Sequence, residues 1–298
     1  MTGTLDLNGV TATPAFEWQG RLMTRPQLIP GSERPDWEAN RSWLVPDFWD
    51  PDTEDAWMRS QAVVVKSGGR TILVDAGIGN HKPRPYLPPF DQLDTSFLDS
   101  LREAGADPAD VDIVINTHLH VDHVGWNTRL DGDQWVPTFP NAVYLFPKAD
   151  FDHWNPEAGS VPPGGLTAAP VFTDSILPVV HAGLARFYDG PHVVDEHVTL
   201  EPAPGHSPGS SVVRLRSGSG SAVIAGDVLH TPMEVLHPDE GACFDEDPEL
   251  AERSRLRFLA QAADRHDAVI AGHFPVDRAA VIGRRGDGYV IEGWMPYQ

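Results

Sequence analysis

Thr117-His118-Leu119-His120-Val121-Asp122-His123-Val124-Gly125 sets three imidazoles and one carboxylate within six positions. Side chains alternate along an extended backbone, so His118 and His120 share one side. Asp122 and His123 follow where the chain can turn and offer donors to a second point. This differs from the H-E-x-x-H arrangement, in which two histidines lie one turn apart on a helix. Adjacent donors of this kind crowd a single tetrahedral ion. They suit two ions side by side, each completed by residues from elsewhere. A solvated loop is the bland alternative. A metal-free core is not, because every buried polar group would need a partner.

Stepping outward, the cluster leaves an apolar, β-branched run, Val111-Asp112-Ile113-Val114-Ile115-Asn116, that reads as a buried strand. Further donors end other apolar strands. His197 to Pro202 runs into Ala203-Pro204-Gly205-His206-Ser207-Pro208-Gly209, a rigid turn around one imidazole. Ser221 to Ala225 runs into Gly226-Asp227, and Ala268 to Ala271 into Gly272-His273.

His118-x-His120-x-Asp122-His123 resembles the signature of the metallo-β-lactamase-fold hydrolases, and Gly205-His206, Gly226-Asp227 and Gly272-His273 fall in that family's order. The resemblance implies an α/β (α+β) fold, a four-layer αββα sandwich with a dinuclear metal site at one edge. It implies that His118, His120 and His206 hold one ion, that Asp122, His123 and His273 hold the other, and that Asp227 bridges them. It also implies that Asp75, in Asp75-Ala76-Gly77, supports a ligand histidine. Oxygen and imidazole donors suit Zn²⁺, with Mn²⁺, Fe²⁺ and Co²⁺ admissible. Two such ions about 3.5–4 Å apart share a water and lower its pKa toward ~7, giving a bridging hydroxide. Asp122 would then move a proton.

Within the superfamily the closest likeness is to the lactonase and organophosphate-hydrolase-like subgroup. The implied activity is hydrolysis of lactones or other carboxylic esters. Phosphotriesters, aryl sulfates and β-lactams are the alternatives for the same site. A glyoxalase II-like thioesterase, a nuclease or a non-catalytic metal-binding protein ranks lower. The lactonases often carry a tyrosine three residues after the bridging aspartate. Here that position is His230, which would donate a hydrogen bond to the substrate or serve structure.

Composition narrows the partners. The chain has 298 residues, 22 basic and 43 acidic, for a net charge of −21. Such a surface repels phosphate backbones, so no nucleic-acid partner is expected. Cys243 is the only cysteine, so there is no intrachain disulfide, which fits a reducing compartment. Met1 to Trp18 has no signal-peptide pattern, and no apolar run approaches the ~18 residues of a membrane span. A cytoplasmic protein without a membrane partner is the expectation.

The elements that must position the donors are then placed. Residues 1–60, rich in proline and aromatics, read as an arm packed on a catalytic domain spanning 61–298. The arm would serve equally as a pocket wall or as the interface of a homodimer. Residues 61–66 and 70–75 form a hairpin across Ser67-Gly68-Gly69. A helix over 95–104 is capped by Asp94 or Thr95. The proline-rich 81–90 segment suits a pocket wall, 155–170 a loop, and 174–187 a helix broken at Pro178. Trp126, Trp135, Phe139, Phe151 and Trp154 follow the cluster and suggest an apolar mouth for a small neutral or hydrophobic substrate.

Overall fold

The computed structural model describes residues 3–156 and 169–298. Two seven-stranded sheets dominate it. The first runs, edge to edge, through Leu5–Asp6, Thr11–Thr24, Asp55–Ser67, Arg70–Val74, Ile113–Ile115, Val143–Pro147 and Ala185–Tyr188. The second runs through His192–Val193, Val198–Pro202, Ser211–Ser217, Gly220–Ile224, Ala268–Ile270, Arg278–Arg285 and Gly288–Pro296.

Strand alternation builds the layers. Val63, Val65, Ile72 and Val74 point inward and meet Val213, Leu215, Ile224 and Ile270 of the other sheet. Their neighbours Val64, Leu73 and Val114 point outward, under Phe97 and Leu101 of the helix Phe97–Glu103. On the far side Val212, Val223 and Val269 pack under Phe258, Leu259 and Ala262 of the helix Pro248–Arg265. Helix, sheet, sheet, helix is the expected four-layer order. No helix among the described residues is long and apolar enough to cross a membrane.

The N-terminal residues differ from the arm the sequence suggested. Thr11–Thr24 is a long strand paired with Asp55–Ser67 from Thr11 opposite Lys66 to Thr24 opposite Asp55. Residues 3–60 are therefore not irregular throughout, and the strand Asp55–Ser67 runs across position 61. Pro14 and the crowded aromatics hide the alternation. Beyond Ala12 this strand has a neighbour on one side only, where a residue without an N–H is tolerated. Residues 25–54 hold short helices and turns, and their Trp37, Leu44, Phe48 and Trp49 join the core beneath the second sheet.

Two other expectations need correction. The 174–187 helix ends at His181 and Ala185–Tyr188 is a strand, while Pro178 does follow an interruption, the π-helical stretch Phe172–Ile176 that leads into Leu177–His181. The 81–90 segment is anchored by two buried cations: Arg84 donates to both oxygens of Asp174 at 2.7 and 2.8 Å, and Lys82 donates to Thr128 Oγ1 at 2.9 Å. The helix at 97 has no side-chain cap from Asp94 or Thr95; Asn80 instead accepts from the Thr95 N–H at 2.9 Å. The expected loop at 155–170 lies mostly outside the described residues.

Every donor loop leaves the carboxyl end of a strand at one edge of the sandwich. Arg70–Val74 and Ile113–Ile115 are parallel, as are Gly220–Ile224 and Ala268–Ile270, so Asp75, the histidine cluster, Asp227 and His273 open on the same side. Glu17, on the N-terminal strand, fastens this edge. Its carboxylate accepts from the N–H groups of Ile78 at 2.6 Å and Gly79 at 2.9 Å, and from Trp126 Nε1 at 2.7 Å. Gly125 is obligatory here, since a Cβ would lie 1.8 Å from the Ile78 carbonyl oxygen. Burial pushes the Glu17 carboxyl up to about 7, against the pull of these donors. Glu17→Gln must turn its NH₂ toward the Ile78 N–H or toward the Gly79 N–H and Trp126 Nε1. It should cost about 2 kcal/mol, read by urea unfolding; an unchanged midpoint would show that the clamp is dispensable.

Candidate metal centre

The histidine loop begins as the strand Ile113–Ile115 ends, and its shape is imposed by Asp75. That residue sits just past Val74 at φ +59°, a left-handed conformation that costs a non-glycine residue energy unless its surroundings fix it. The surroundings do so. Asp75 Oδ1 accepts the Thr117 N–H at 2.8 Å, and Oδ2 lies 2.9 Å from His123 Nδ1. Thr117 Oγ1 donates to the same carboxylate and lies 3.1 Å from His118 Nδ1.

The other loops are held in the same way. His206 Nδ1 lies 3.1 Å from Asp245 Oδ1, and His273 Nδ1 lies 2.8 Å from the Arg59 carbonyl oxygen. Gly205 has φ +130° and a Cβ there would meet Ala251 N at 2.1 Å, so the turn before His206 packs directly on the helix Pro248–Arg265. Asp150 joins two donor loops: Oδ2 accepts from Leu119 N at 3.0 Å and Ser207 Oγ at 2.9 Å, and Oδ1 from Gly209 N at 2.5 Å.

All the donors named from the sequence come together. Those of His118, His120, His206 and Asp227 lie within 4.8 Å of one another, as do those of Asp122, His123 and His273. Asp227 lies between the groups. Its Oδ2 is 3.6 Å from His118 Nε2, 3.2 Å from His206 Nε2 and 3.1 Å from His273 Nε2, and its Oδ1 is 3.1 Å from His123 Nε2. Asp122 stands at the edge, each oxygen 3.8 Å from an imidazole of His123 or His273. His230 is at the centre too, fully buried, with Nε2 3.4 Å from Asp227 Oδ2.

These residues fit a pair of cations. His118 Nε2, His123 Nε2 and Asp227 Oδ1 are buried with no hydrogen-bond partner, a costly arrangement that a bound cation relieves. Electrostatics agree. Asp227 would be raised by burial, yet the surrounding imidazoles hold it well below the usual carboxylate range. His118 and His120 are held well below the usual imidazole value, first by burial and then by neighbouring imidazoles. Burial lowers His123 as well, but Asp227 and Asp75 outweigh it and hold that imidazole well above the usual value; His206 is raised likewise by Asp227. At His230 burial is outweighed by Asp227 and Glu234, which push the imidazole up to about 10.

Sequence reading missed Asp150, Asp245 and Glu17, whose partners are distant in the chain, and also Glu234, only four residues from His230, with Arg255. It also placed too many aromatics at the mouth. Trp126 stacks on Phe97 at 5.4 Å in the core, Phe139 is fully buried, Phe151 packs on Phe172, and Trp135 covers Lys82. Among those five, Trp154 is the one that meets a donor ring, 5.3 Å from His120.

Two outcomes follow from this geometry. The raised imidazoles must lose protons before an ion can bind, so affinity should climb as pH rises through and above the ordinary histidine value of 6.5, with proton release measurable by calorimetry in buffers of different ionisation enthalpy. Asp150→Asn must turn its amide NH₂ either toward the Gly209 N–H or toward the Leu119 N–H and Ser207 Oγ, and should weaken metal affinity by about 10–100-fold. Chelator competition measures this; unchanged affinity would mean the two loops hold their positions without Asp150.

Comparison with known proteins follows the same line. The model of the Metallo-beta-lactamase superfamily matches residues 56–273. The Metallo-beta-lactamase domain-containing protein 1 of Mus musculus is 30% identical over 84% of this chain and 79% of its own length. The N-acyl homoserine lactonase AttM of Agrobacterium fabrum is 29% identical over 64% of this chain and 68% of its own. The solved structure of AidC, a dizinc quorum-quenching lactonase in complex with a product, shares the fold at a TM-score of 0.75, with 23% identity over 100% of this chain and 97% of that one. With its sandwich, its matched residues and its converging donors, the chain belongs to the metallo-beta-lactamase superfamily of hydrolases.

Proposed function

We propose that this protein is a dinuclear metal-dependent hydrolase of lactones or related carboxylic esters. The observation that carries the reading is the convergence of His118, His123, His206 and His273 on the two oxygens of Asp227, with donor atoms left buried and unpartnered. His118, His120 and His206 would hold one ion and Asp122, His123 and His273 the other, with Asp227 between them. Zn²⁺ is the best match to this imidazole-rich set. When bound, two such ions supply Lewis acidity and bring the pKa of a water toward ~7.

The chain's own residues do the rest. Asp75 and Asp245 fix the ring orientation of His123 and His206 and raise their basicity. Asp122 is the most open of the carboxylates at the centre, with 13% of its side chain exposed against 4% for Asp227. It is placed to take a proton from an attacking water and to return it to a leaving alkoxide. Phe244, half-buried and 5.8 Å from His230, offers apolar surface to an uncharged substrate, and the buried Trp154 backs His120. The net charge of −21 supports the same choice against polyanions. The lactone in particular is supported by the 29% identity to a named N-acyl homoserine lactonase.

Metal analysis of the purified protein, with an assay against lactones, aryl esters, a phosphotriester, an aryl sulfate and a β-lactam, tests the reading. Near two ions per chain with lactones or esters turned over fastest is the expected result. His118→Ala should lose at least about a hundredfold in activity, more than the loss of a supporting carboxylate. A phosphotriester, sulfate or β-lactam well ahead of every ester would overturn the substrate class. Activity unaffected in His118→Ala would overturn the site.

A further inference from the structure

His230 has the construction of a ligand rather than of a residue facing substrate. Its side chain is 0% exposed, and both ring nitrogens are buried without a hydrogen-bond partner. Its Nε2 lies 3.4 Å from Asp227 Oδ2. That oxygen is the one approached by Nε2 of His273 at 3.1 Å, His206 at 3.2 Å and His118 at 3.6 Å. The His230 ring lies nearly parallel to that of His273, at 10° with centroids 5.4 Å apart. The donor atoms of Asp227, His230 and His273 lie within 4.8 Å of one another.

The other side of the ring completes the pattern. Nδ1 faces Glu234 Oε1 at 3.7 Å, an oxygen that is itself buried without a hydrogen-bond partner. Glu234 Oε2 is fixed by the N–H groups of His230 at 2.5 Å and Thr231 at 2.9 Å. A carboxylate behind Nδ1 is the device that orients His123 through Asp75 and His206 through Asp245. Arg255 then ties two of these carboxylates together. Its Nη2 lies 2.9 Å from Asp245 Oδ2 and 3.3 Å from Glu234 Oε1, and its Nε donates to the carbonyl oxygen of Val228, next to Asp227, at 3.0 Å.

We propose that His230 is an additional metal donor, giving its Nε2 to the ion held by Asp227 and His273, with Glu234 as its orienting carboxylate and Arg255 as the brace. The inference rests on the dinuclear reading above. A residue that touches a substrate carbonyl must face the open side, and Asp122 does so where His230 does not. A further imidazole makes the set richer in nitrogen, which favours Zn²⁺, Co²⁺ or Fe²⁺ over Mg²⁺ or Ca²⁺.

Stepwise Co²⁺ titration of the metal-free protein tests this, reading the affinity of each step and the visible absorption of each ion. Wild type should take two ions. His230→Gln should weaken one step at least about tenfold and change that ion's absorption, leaving the other step alone, and Glu234→Gln should weaken the same step by about 10–100-fold. Thermal melts of the metal-free proteins check folding; if His230→Gln melts early, Glu234→Gln carries the test. Two ions bound by wild type, with both steps and both spectra unchanged in the folded variants, would overturn the role of His230 and leave the dinuclear reading standing. Fewer than two ions bound by wild type would overturn both.

Discussion

One buried carboxylate organises the edge of this sandwich. The Asp227 oxygens face imidazoles of His118, His123, His206, His230 and His273, with separations from 3.1 to 3.6 Å. A charge in that position is expensive unless it is compensated. The imidazoles compensate it in part, but they also bring lone pairs that find no donor. The packing is therefore frustrated as a purely protein structure, and bound cations would relieve it. Two of the rings do meet, His206 Nε2 and His120 Nδ1 at 2.8 Å, while carboxylates and a carbonyl oxygen behind the other ring nitrogens hold the imidazoles rigidly in place.

That rigidity comes from a ring of acceptors behind the donors. Asp75, Asp245, Glu234 and the Arg59 carbonyl oxygen each face the Nδ1 of an imidazole. The three carboxylates are anchored in turn, Asp75 by Thr117 N–H, Glu234 by two backbone N–H groups, and Asp245 by Arg255. Asp150 and Glu17 hold the loops rather than the rings. The left-handed Asp75 is the one place where backbone strain is visible beside the donors. It lies where the parallel strands end, and the sheet beneath it is fully packed on both faces.

The donor residues were legible because they are local. His118 to His123 follow one strand, and His206, Asp227 and His273 each follow an apolar run bounded by glycine. The four-layer order was legible by resemblance, and hairpins such as Asp55–Ser67 with Arg70–Val74 by their turn. The supports were not. Asp245 is 39 positions from His206 and Asp150 is 57 from Ser207, and nothing near either acid marks its partner. The N-terminal strand was hidden because Pro14 and Trp18 break the look of alternation, while its long pairing is a tertiary fact. Aromatic type likewise cannot separate pocket from core, as Trp126 and Phe139 show.

The dinuclear centre is the claim on which the rest depends, and X-ray anomalous diffraction from crystals of the Zn²⁺-loaded protein tests it most directly. Two peaks about 3.5–4 Å apart, one among His118, His120 and His206 and the other beside His123 and His273, with the Asp227 carboxylate between them, is the result this account predicts. A single peak, or peaks away from Asp227, would contradict it.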